Sequence, residues 1–362
     1  MPRFFRLPVA RVERETRDAV AITFAVPPEL ESTFQFQPGQ HLTVRAVIDG
    51  EEVRRSYSIC AGTHERRLRI AVKRNSGGLF SNWANGSIAV GDLLDVMPPL
   101  GHFHVPLDGK HRKHYVAFAA GSGITPVLSI VASTLASEPG SQFTLVYGNR
   151  ASSTVMFREE LAALKDVHLS RFNLLHILSR EAQDIPLFHG RIDREKVTAL
   201  LQRWIPVATI DTAFVCGPEG MMAEVKAGLL EAGLPEDRIR IERFATSVPM
   251  VRHVAPPVAS ESRTDCEVTV VLDGITRTFQ LDRSKDSILD GGLKSGFELP
   301  YSCKSGVCST CRAKLVHGEV DMDANYALED YEVARGFVLT CQSYPVTDAV
   351  CVDYDQGSTG AS

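Results

Sequence analysis

The sequence lacks any run approaching the ~20 consecutive apolar residues that a membrane-spanning helix needs. Its opening, MPRFFRLPVARVERE, lacks the apolar core of a secretory signal. Both absences make a cytoplasmic protein without membrane contact the expectation. An excess of positive charge is missing too. The chain carries 39 Lys+Arg against 44 Asp+Glu, a net charge of −5, so nothing in its charge argues for nucleic-acid binding. Disulfides are not expected in that compartment, and the eight cysteines should be thiols or ligands. No internal repeat is visible. What remains is an ordinary globular composition, 44% hydrophobic and 23% charged, over 362 residues. That length suits two or three domains.

The charge is unevenly spread. From Thr264 onward there are 8 Lys+Arg and 16 Asp+Glu, a net of −8, while the preceding 263 residues carry a net of +3. An acidic C-terminal module therefore follows a near-neutral body. Residues 1–110 read as short β-segments, such as 20–26, 41–44 and 68–72, punctuated by Gly39, Gly50, Gly62, Gly77-Gly78, Gly91 and Gly101. Strands this short and closely spaced predict an antiparallel barrel or sandwich. Residues 111–245 read differently. The continuous apolar run 115–120 and further runs at 143–147, 172–178 and 212–216 suit strands buried on both faces. Helical patterns lie between them: one from Pro126, then 157–165, 193–203 and 218–232. The alternation predicts a doubly wound parallel sheet. Residues 246–263 hold three prolines and no clean period, and read as a linker. Residues 264–355 form the acidic unit, with strands near 267–272 and 276–281 and a helix near 286–294. Residues 356–362 are expected to be a frayed tail.

Half of the cysteines fall into one pattern: Cys303-x4-Cys308-x2-Cys311, with Cys341 far downstream. This is the spacing of a plant-type 2Fe–2S ferredoxin. Two irons sharing two sulfides need four thiolates, three from one tight loop and one from a distant segment. The loop is mostly small residues, which lets backbone N–H groups approach the cluster sulfurs. A zinc site usually pairs two short Cys units, and here the fourth cysteine stands alone. Cys266 and Cys351 have no such pattern and read as core thiols.

A 2Fe–2S centre takes one electron at a time, whereas NAD(P)H gives two as hydride. A flavin can mediate between them, so flavin and nucleotide sites are the next expectation. Arg55-Ser56-Tyr57-Ser58 offers a guanidinium for pyrophosphate, a ring to lie along an isoalloxazine and a hydroxyl for a ring nitrogen. Gly77-Gly78-Leu79-Phe80-Ser81 opens a short helix at which phosphate oxygens can approach the backbone. Ala119-Ala120-Gly121-Ser122-Gly123-Ile124-Thr125-Pro126 is a Gly-rich strand-to-helix turn, with Thr125 as the expected N-cap and Pro126 as the first helical residue. Ser179-Arg180 follows the third parallel strand and suits a 2′-phosphate. That favours NADPH over NADH, for which an acidic residue would be expected; Glu181 is adjacent. Cys216-Gly217-Pro218 ends the fourth strand and faces the same crevice.

In this order the motifs resemble the ferredoxin–NADP⁺ reductase superfamily with a C-terminal plant-type ferredoxin domain. The likeness also takes in Pro38-Gly39-Gln40-His41, Tyr147-Gly148-Asn149-Arg150 and Glu242-Arg243-Phe244. It implies an antiparallel β-barrel flavin domain, an α/β nucleotide domain and a β-grasp (α+β) ferredoxin domain. It implies FAD contacts from Arg55, Tyr57, Ser58, Gly78, Ser81 and Thr125, with FMN found in relatives whose ferredoxin is appended differently. It implies an NADP site of Gly123, Arg150, Ser179, Arg180, Cys216 and Gly217, with Thr125 and Cys216 near the reacting rings and no acid–base side chain. The cluster would sit on Cys303, Cys308, Cys311 and Cys341. The acceptor would be an oxygenase component of a multicomponent complex, a desaturase or a hybrid-cluster protein. A redox sensor and a zinc-stabilised flavoprotein are the rivals.

Overall fold

The structure, a computed structural model, describes residues 4–245 and 265–357. The expected linker at 246–263 and residues 358–362 of the expected tail lie outside the described residues. The chain divides into two compact units, one holding a barrel and a parallel sheet, the other the acidic C-terminal module.

Six strands build the barrel: β1 Phe5–Thr16, β2 Ala19–Phe24, β3 His41–Ile48, β4 Glu51–Ser58, β5 Leu68–Lys73 and β6 Leu93–Val96, in the order β4-β3-β6-β1-β2-β5. The two edge strands meet just beyond β4, where Ile59 bridges Ile70 and Cys60 N donates to Arg69 O at 2.9 Å. That closure leaves few exposed edge groups. β1 pairs β6 at its start and β2 along its length, with two register shifts that bend it around the barrel. Helix α1, Leu79–Gly86, buries Phe80 and Ala84 in the barrel core beside Ile22, Leu42 and Ile70.

Five parallel strands follow: β7 His114–Ala120, β8 Gln142–Asn149, β9 Phe172–Leu178, β10 Thr212–Cys216 and β11 Ile239–Glu242. The helices are α2 Ile124–Ser137, α3 Arg158–Val167, α4 Arg194–Arg203 and α5 Glu219–Glu231. The order β11-β10-β7-β8-β9 means that the chain runs outward from β7, then returns to β7's other side. That reversal opens a crevice at the carboxyl ends of β7 and β10. Alternate residues of β7 feed opposite cores: Tyr115, Ala117 and Ala119 one, Val116 and Phe118 the other.

The start of α2 differs from expectation. Gly123, not Thr125, occupies the cap position and Ile124 is the first helical residue. The Gly121–Gly123 turn already coils as a 3₁₀ turn and runs directly into the helix. Thr125 instead lies inside the first turn, its Oγ1 donating to Ser122 O at 3.0 Å. Phe157, expected to begin the next helix, precedes α3 in a left-handed conformation, φ +57°.

The second unit contains β12 Asp265–Leu272, β13 Ile275–Asp282, α6 Ile288–Lys294, β14 Arg312–His317, β15 Val320–Met322, α7 Asp330–Ala334, β16 Phe337–Leu339, β17 Ser343–Pro345 and β18 Ala349–Asp353. Its main sheet runs β13-β12-β18-β14-β16, with only β12 and β18 parallel. α6 lies close across this sheet because Gly291 faces Leu281 at a spacing where a Cβ would come within 2.1 Å of the leucine side chain. This is a β-grasp arrangement.

One fully buried carboxylate ties the passage between barrel and parallel sheet to α2. Glu138, just past α2, accepts from Ser141 Oγ at 2.7 Å, Asp108 N at 3.0 Å and Tyr115 OH at 3.3 Å, and meets His111 Nδ1 at 2.7 Å. Burial pushes its carboxyl up, but these bonds outweigh burial and hold it below its ordinary value of 4.5. Its stabilisation is therefore complete above about pH 4.5 and is lost as the pH falls through the lower folded value. Glu138→Gln should cost about 1–3 kcal/mol at pH 7, the scale of buried hydrogen-bonding groups left unmatched. Its melting temperature should then fall less steeply than the wild type's below pH 4.5, as a thermal-unfolding series in pH would register.

Candidate functional site

A cleft of about 1210 Å³ opens at the switch point of the parallel sheet. Its α/β wall holds Gly121 and Ser122 after β7, Asn149 and Arg150 at the end of β8, Ser179 and Arg180 after β9, and Gly217 after β10. Its barrel wall holds Arg17 and Asp18 from the β1–β2 turn and Lys73 and Asn75 from the end of β5. Ser179 N donates to Asn149 O at 2.9 Å and Arg180 N to Arg150 O at 2.7 Å, so the two arginines are set on adjoining segments. Tyr147 OH steadies the glycine turn by donating to Gly121 O at 3.1 Å. Gly123 and Cys216 do not line the cleft but touch beneath it. A Cβ on Gly123 would lie 2.1 Å from Cys216 O, so only glycine lets the turn after β7 meet the end of β10. Burial pushes the Cys216 thiol well up, with Glu242 adding to the effect; burial raises Glu242 itself to about 8.

The cleft's charges are unbalanced. Arg17, Lys73, Arg150, Arg180 and Arg191 line it and make no side-chain hydrogen bond or ion pair among the described residues. Burial and Arg150 lower the Lys73 ammonium against the opposing charge of Asp18, which also lines the cleft. The other acids nearby are engaged. Asp193 accepts from Lys196 N at 2.9 Å, Glu219 pairs Arg243 at 3.2 Å and Glu224 pairs Arg194 at 3.3 Å. Glu181 is turned to Ser152, accepting from its N at 2.8 Å and its Oγ at 2.9 Å. An excess of cations around glycine backbone suits a polyphosphate. The sequence motifs point to Arg150 and Arg180 but not to Arg17, Lys73 or Arg191, which stand in turns and a strand end with no motif of their own.

None of the residues expected around a flavin lines this cleft. Tyr57 and Ser58 end β4, and the Tyr57 ring lies 5.4 Å from Phe80 of α1. Ser58 and Thr125 are buried, and Arg55 is exposed with Nη1 donating to Arg54 O at 2.7 Å. Gly78 caps α1 without a side-chain bond. A Cβ there would meet Ser81 Oγ at 2.6 Å, and that hydroxyl accepts from Asn75 N at 3.1 Å. The first-turn amides of α1 thus have no side-chain cap, in a place where only a glycine backbone leaves room for phosphate oxygens. The residues present fit a flavin with a phosphate tail.

In the acidic module, Cys303 follows β13 and α6 in a loop that bends through left-handed residues at Lys304, Gly306 and Ser309. A Cβ on Gly306 would lie 2.8 Å from Ala324 O. The loop turns amides onto sulfur: Ser305 N donates to Cys303 Sγ at 3.3 Å and Cys303 N to Cys308 Sγ at 3.5 Å. Bonding from Cys308 and from the Ser305 and Val307 amides outweighs burial and holds the Cys303 thiol well below its ordinary value. The thiols meet as two pairs, Cys303 with Cys308 and Cys311 with Cys341. No group of three metal-binding side chains among the described residues is placed around a single ion. Two pairs suit two irons, each taking two thiolates, better than one zinc. The fourth cysteine is tied to the loop by backbone. Thr340 N and Oγ1 both donate to Cys311 O, at 3.2 and 3.0 Å, and the buried Tyr354 OH meets Thr340 Oγ1 at 2.7 Å.

Three domain families match the chain: an oxidoreductase FAD-binding domain over residues 6–105, an oxidoreductase NAD-binding domain over 118–227 and a 2Fe-2S iron-sulfur cluster binding domain over 270–346. One component of the 1,2-phenylacetyl-CoA epoxidase of Escherichia coli K12 is 48% identical, over 98% of this chain and 99% of that protein. The chain belongs to the reductase family that joins FAD, pyridine-nucleotide and 2Fe–2S domains in one polypeptide. The ferredoxin reductase component of the Rhodococcus rhodochrous 3-ketosteroid-9-alpha-monooxygenase is 35% identical, over 96% of both chains. The solved phthalate dioxygenase reductase is 28% identical, covers 97% of this chain and 98% of its own, and superposes with a TM-score of 0.58. The reductase is an NAD(P)H-dependent oxidoreductase with FAD and a 2Fe–2S cluster as cofactors. No helix among its described residues is long and apolar enough to cross a membrane.

Gly123→Ala tests the close approach beneath the cleft. The added methyl should displace the end of β10 and cost about 1–3 kcal/mol, as overpacked sites do. Chemical denaturation would measure the loss, and NADP⁺ binding should weaken with it.

Proposed function

We propose that the reductase draws hydride from NADPH and delivers electrons singly to the di-iron oxygenase of a phenylacetyl-CoA epoxidase complex in aerobic phenylacetate catabolism. The observation that carries the nucleotide assignment is the excess of cations in the cleft, with Arg180 free and Glu181 engaged by Ser152. A free acid beside Arg180 would favour a ribose hydroxyl; a free arginine favours a 2′-phosphate. The acceptor assignment is supported by the Escherichia coli relative. The Rhodococcus rhodochrous relative favours a second reading, a reductase for another hydroxylase.

In this reading residues 1–110 bind FAD, 111–245 bind NADPH and 264–355 form the ferredoxin domain. Arg55 holds the flavin's pyrophosphate with the amides at Gly78 and Ser81, while Tyr57, Ser58 and Thr125 border its ring system. Arg150, Ser179, Arg180 and Gly217 receive NADPH, Gly123 and Cys216 support that site from beneath, and Cys303, Cys308, Cys311 and Cys341 hold the cluster. When bound, the flavin supplies a two-electron hydride acceptor that can release electrons one at a time to the irons. No side chain need act as acid or base. The protein orients two rings and excludes water, and the buried Cys216 backs their site from beneath the cleft. The module beginning at Thr264, net −8, would dock on a basic surface of its partner. Eight cysteines with no disulfide among them suit the cytoplasm.

Anaerobic NADPH titration followed by visible and EPR spectroscopy tests nucleotide, flavin and cluster together. Adding the oxygenase components and following NADPH consumption against phenylacetyl-CoA then tests the acceptor. Cys308→Ser should abolish electron output to cytochrome c while NADPH still bleaches the flavin; retained output would take the cluster out of the path. Arg180→Ala should raise KM about tenfold or more for NADPH and hardly at all for NADH, a loss on the scale of one charge-assisted phosphate contact. Equal effects in steady-state kinetics would reject the 2′-phosphate contact.

A further inference from the structure

Behind the cleft, the barrel grips one strained residue of the α/β domain. Phe157 is buried, and its φ of +57° is a conformation that a bulky side chain rarely adopts. Its N–H donates to Glu15 Oε2 of β1 at 3.1 Å, and the Arg69 guanidinium of β5 lies 5.2 Å from its ring centroid. Arg69, only 3% exposed, reaches on to α3, where Nη2 donates to both carboxylate oxygens of Glu160 at 2.9 and 2.8 Å and to Cys60 O at 2.6 Å.

Three of these residues are joined by short stretches of chain to the walls of the cleft. Arg17 and Asp18 follow Glu15 by two and three positions, Lys73 follows Arg69 by four, and Ser153 and Thr154 precede Phe157 by four and three. A shift of the Arg69–Glu160 or Glu15–Phe157 contact would therefore move both walls relative to each other. Packed interfaces of this kind have few intermediate positions.

We infer that Glu15, Arg69 and Glu160 form a clamp that fixes the barrel against the α/β domain and so sets the distance over which the nicotinamide hydride travels. They are positioning residues and touch neither ring. The inference rests on the reading that the cleft takes NADPH. Hydride transfer is steeply sensitive to such placement, an ångström of displacement being able to cost about 100-fold in rate.

The test uses the flavin- and cluster-loaded protein and the variants Glu160→Ala and Glu15→Ala. FAD content and NADP⁺ affinity, read from the perturbed flavin spectrum, should stay within about twofold of wild type, since the binding residues remain. Flavin bleaching at saturating NADPH, followed anaerobically by stopped flow, should slow by about tenfold or more. NADPH deuterated at the transferred position should show at least the wild-type isotope effect. Bleaching within twofold of wild type in both variants overturns the clamp. So does slowing matched by equal loss of FAD or NADP⁺ affinity. Glu160→Ala leaves Arg69 buried without its partner. If that chain fails to fold, Glu15→Ala, which keeps the pair, decides by the same criteria. Wild-type protein that NADPH does not bleach removes the cleft reading and the clamp together, which distinguishes the two failures.

Discussion

Excess positive charge is the constraint around which the larger unit is arranged. Five cations converge on one cleft against Asp18, while the other nearby carboxylates are committed elsewhere. Like charges so placed repel one another, and a dense anion between them relieves the repulsion. The topology places it. The reversal of strand order leaves β7 and β10 with their carboxyl ends splayed, and the glycine turn after β7 exposes amides there. The barrel contributes the opposite wall, so neither domain alone makes the site.

The acidic module solves a different problem with similar means. A cluster cannot be approached by side chains alone, because its sulfurs need many short donors. The loop from Cys303 to Cys311 therefore uses left-handed residues at Lys304, Gly306 and Ser309 to turn amides inward. In both units glycine or left-handed residues let backbone amides face the ligand.

Much of this was legible in the sequence. The strands of the parallel sheet read as continuous apolar runs because both of their faces are buried. The cysteine spacing points to four ligands, though not to their division into pairs, which depends on how Cys341 returns. What escaped reading had physical reasons. β1 buries little beyond Leu7 and Val9 and is interrupted by register shifts, so it shows no alternation. β11 is four residues long and half-buried. The cap of α2 was misplaced at Thr125 because a 3₁₀ turn precedes the helix, a local geometry that propensity does not encode. Arg17, Lys73 and Arg191 come from three separate segments, and only folding brings them to one cleft. The helix expected from 157 hid the unusual backbone of Phe157 altogether.

The hydrogen bonds from Thr340 to the Cys311 carbonyl, backed by Tyr354, hold two distant ligand segments together by protein groups alone. Thr340 Oγ1 has one proton and gives it to that carbonyl, so the tyrosine must donate, and the chain of bonds has a single direction. A break at any link of that chain would therefore loosen the loop of Cys311 and the segment of Cys341 together.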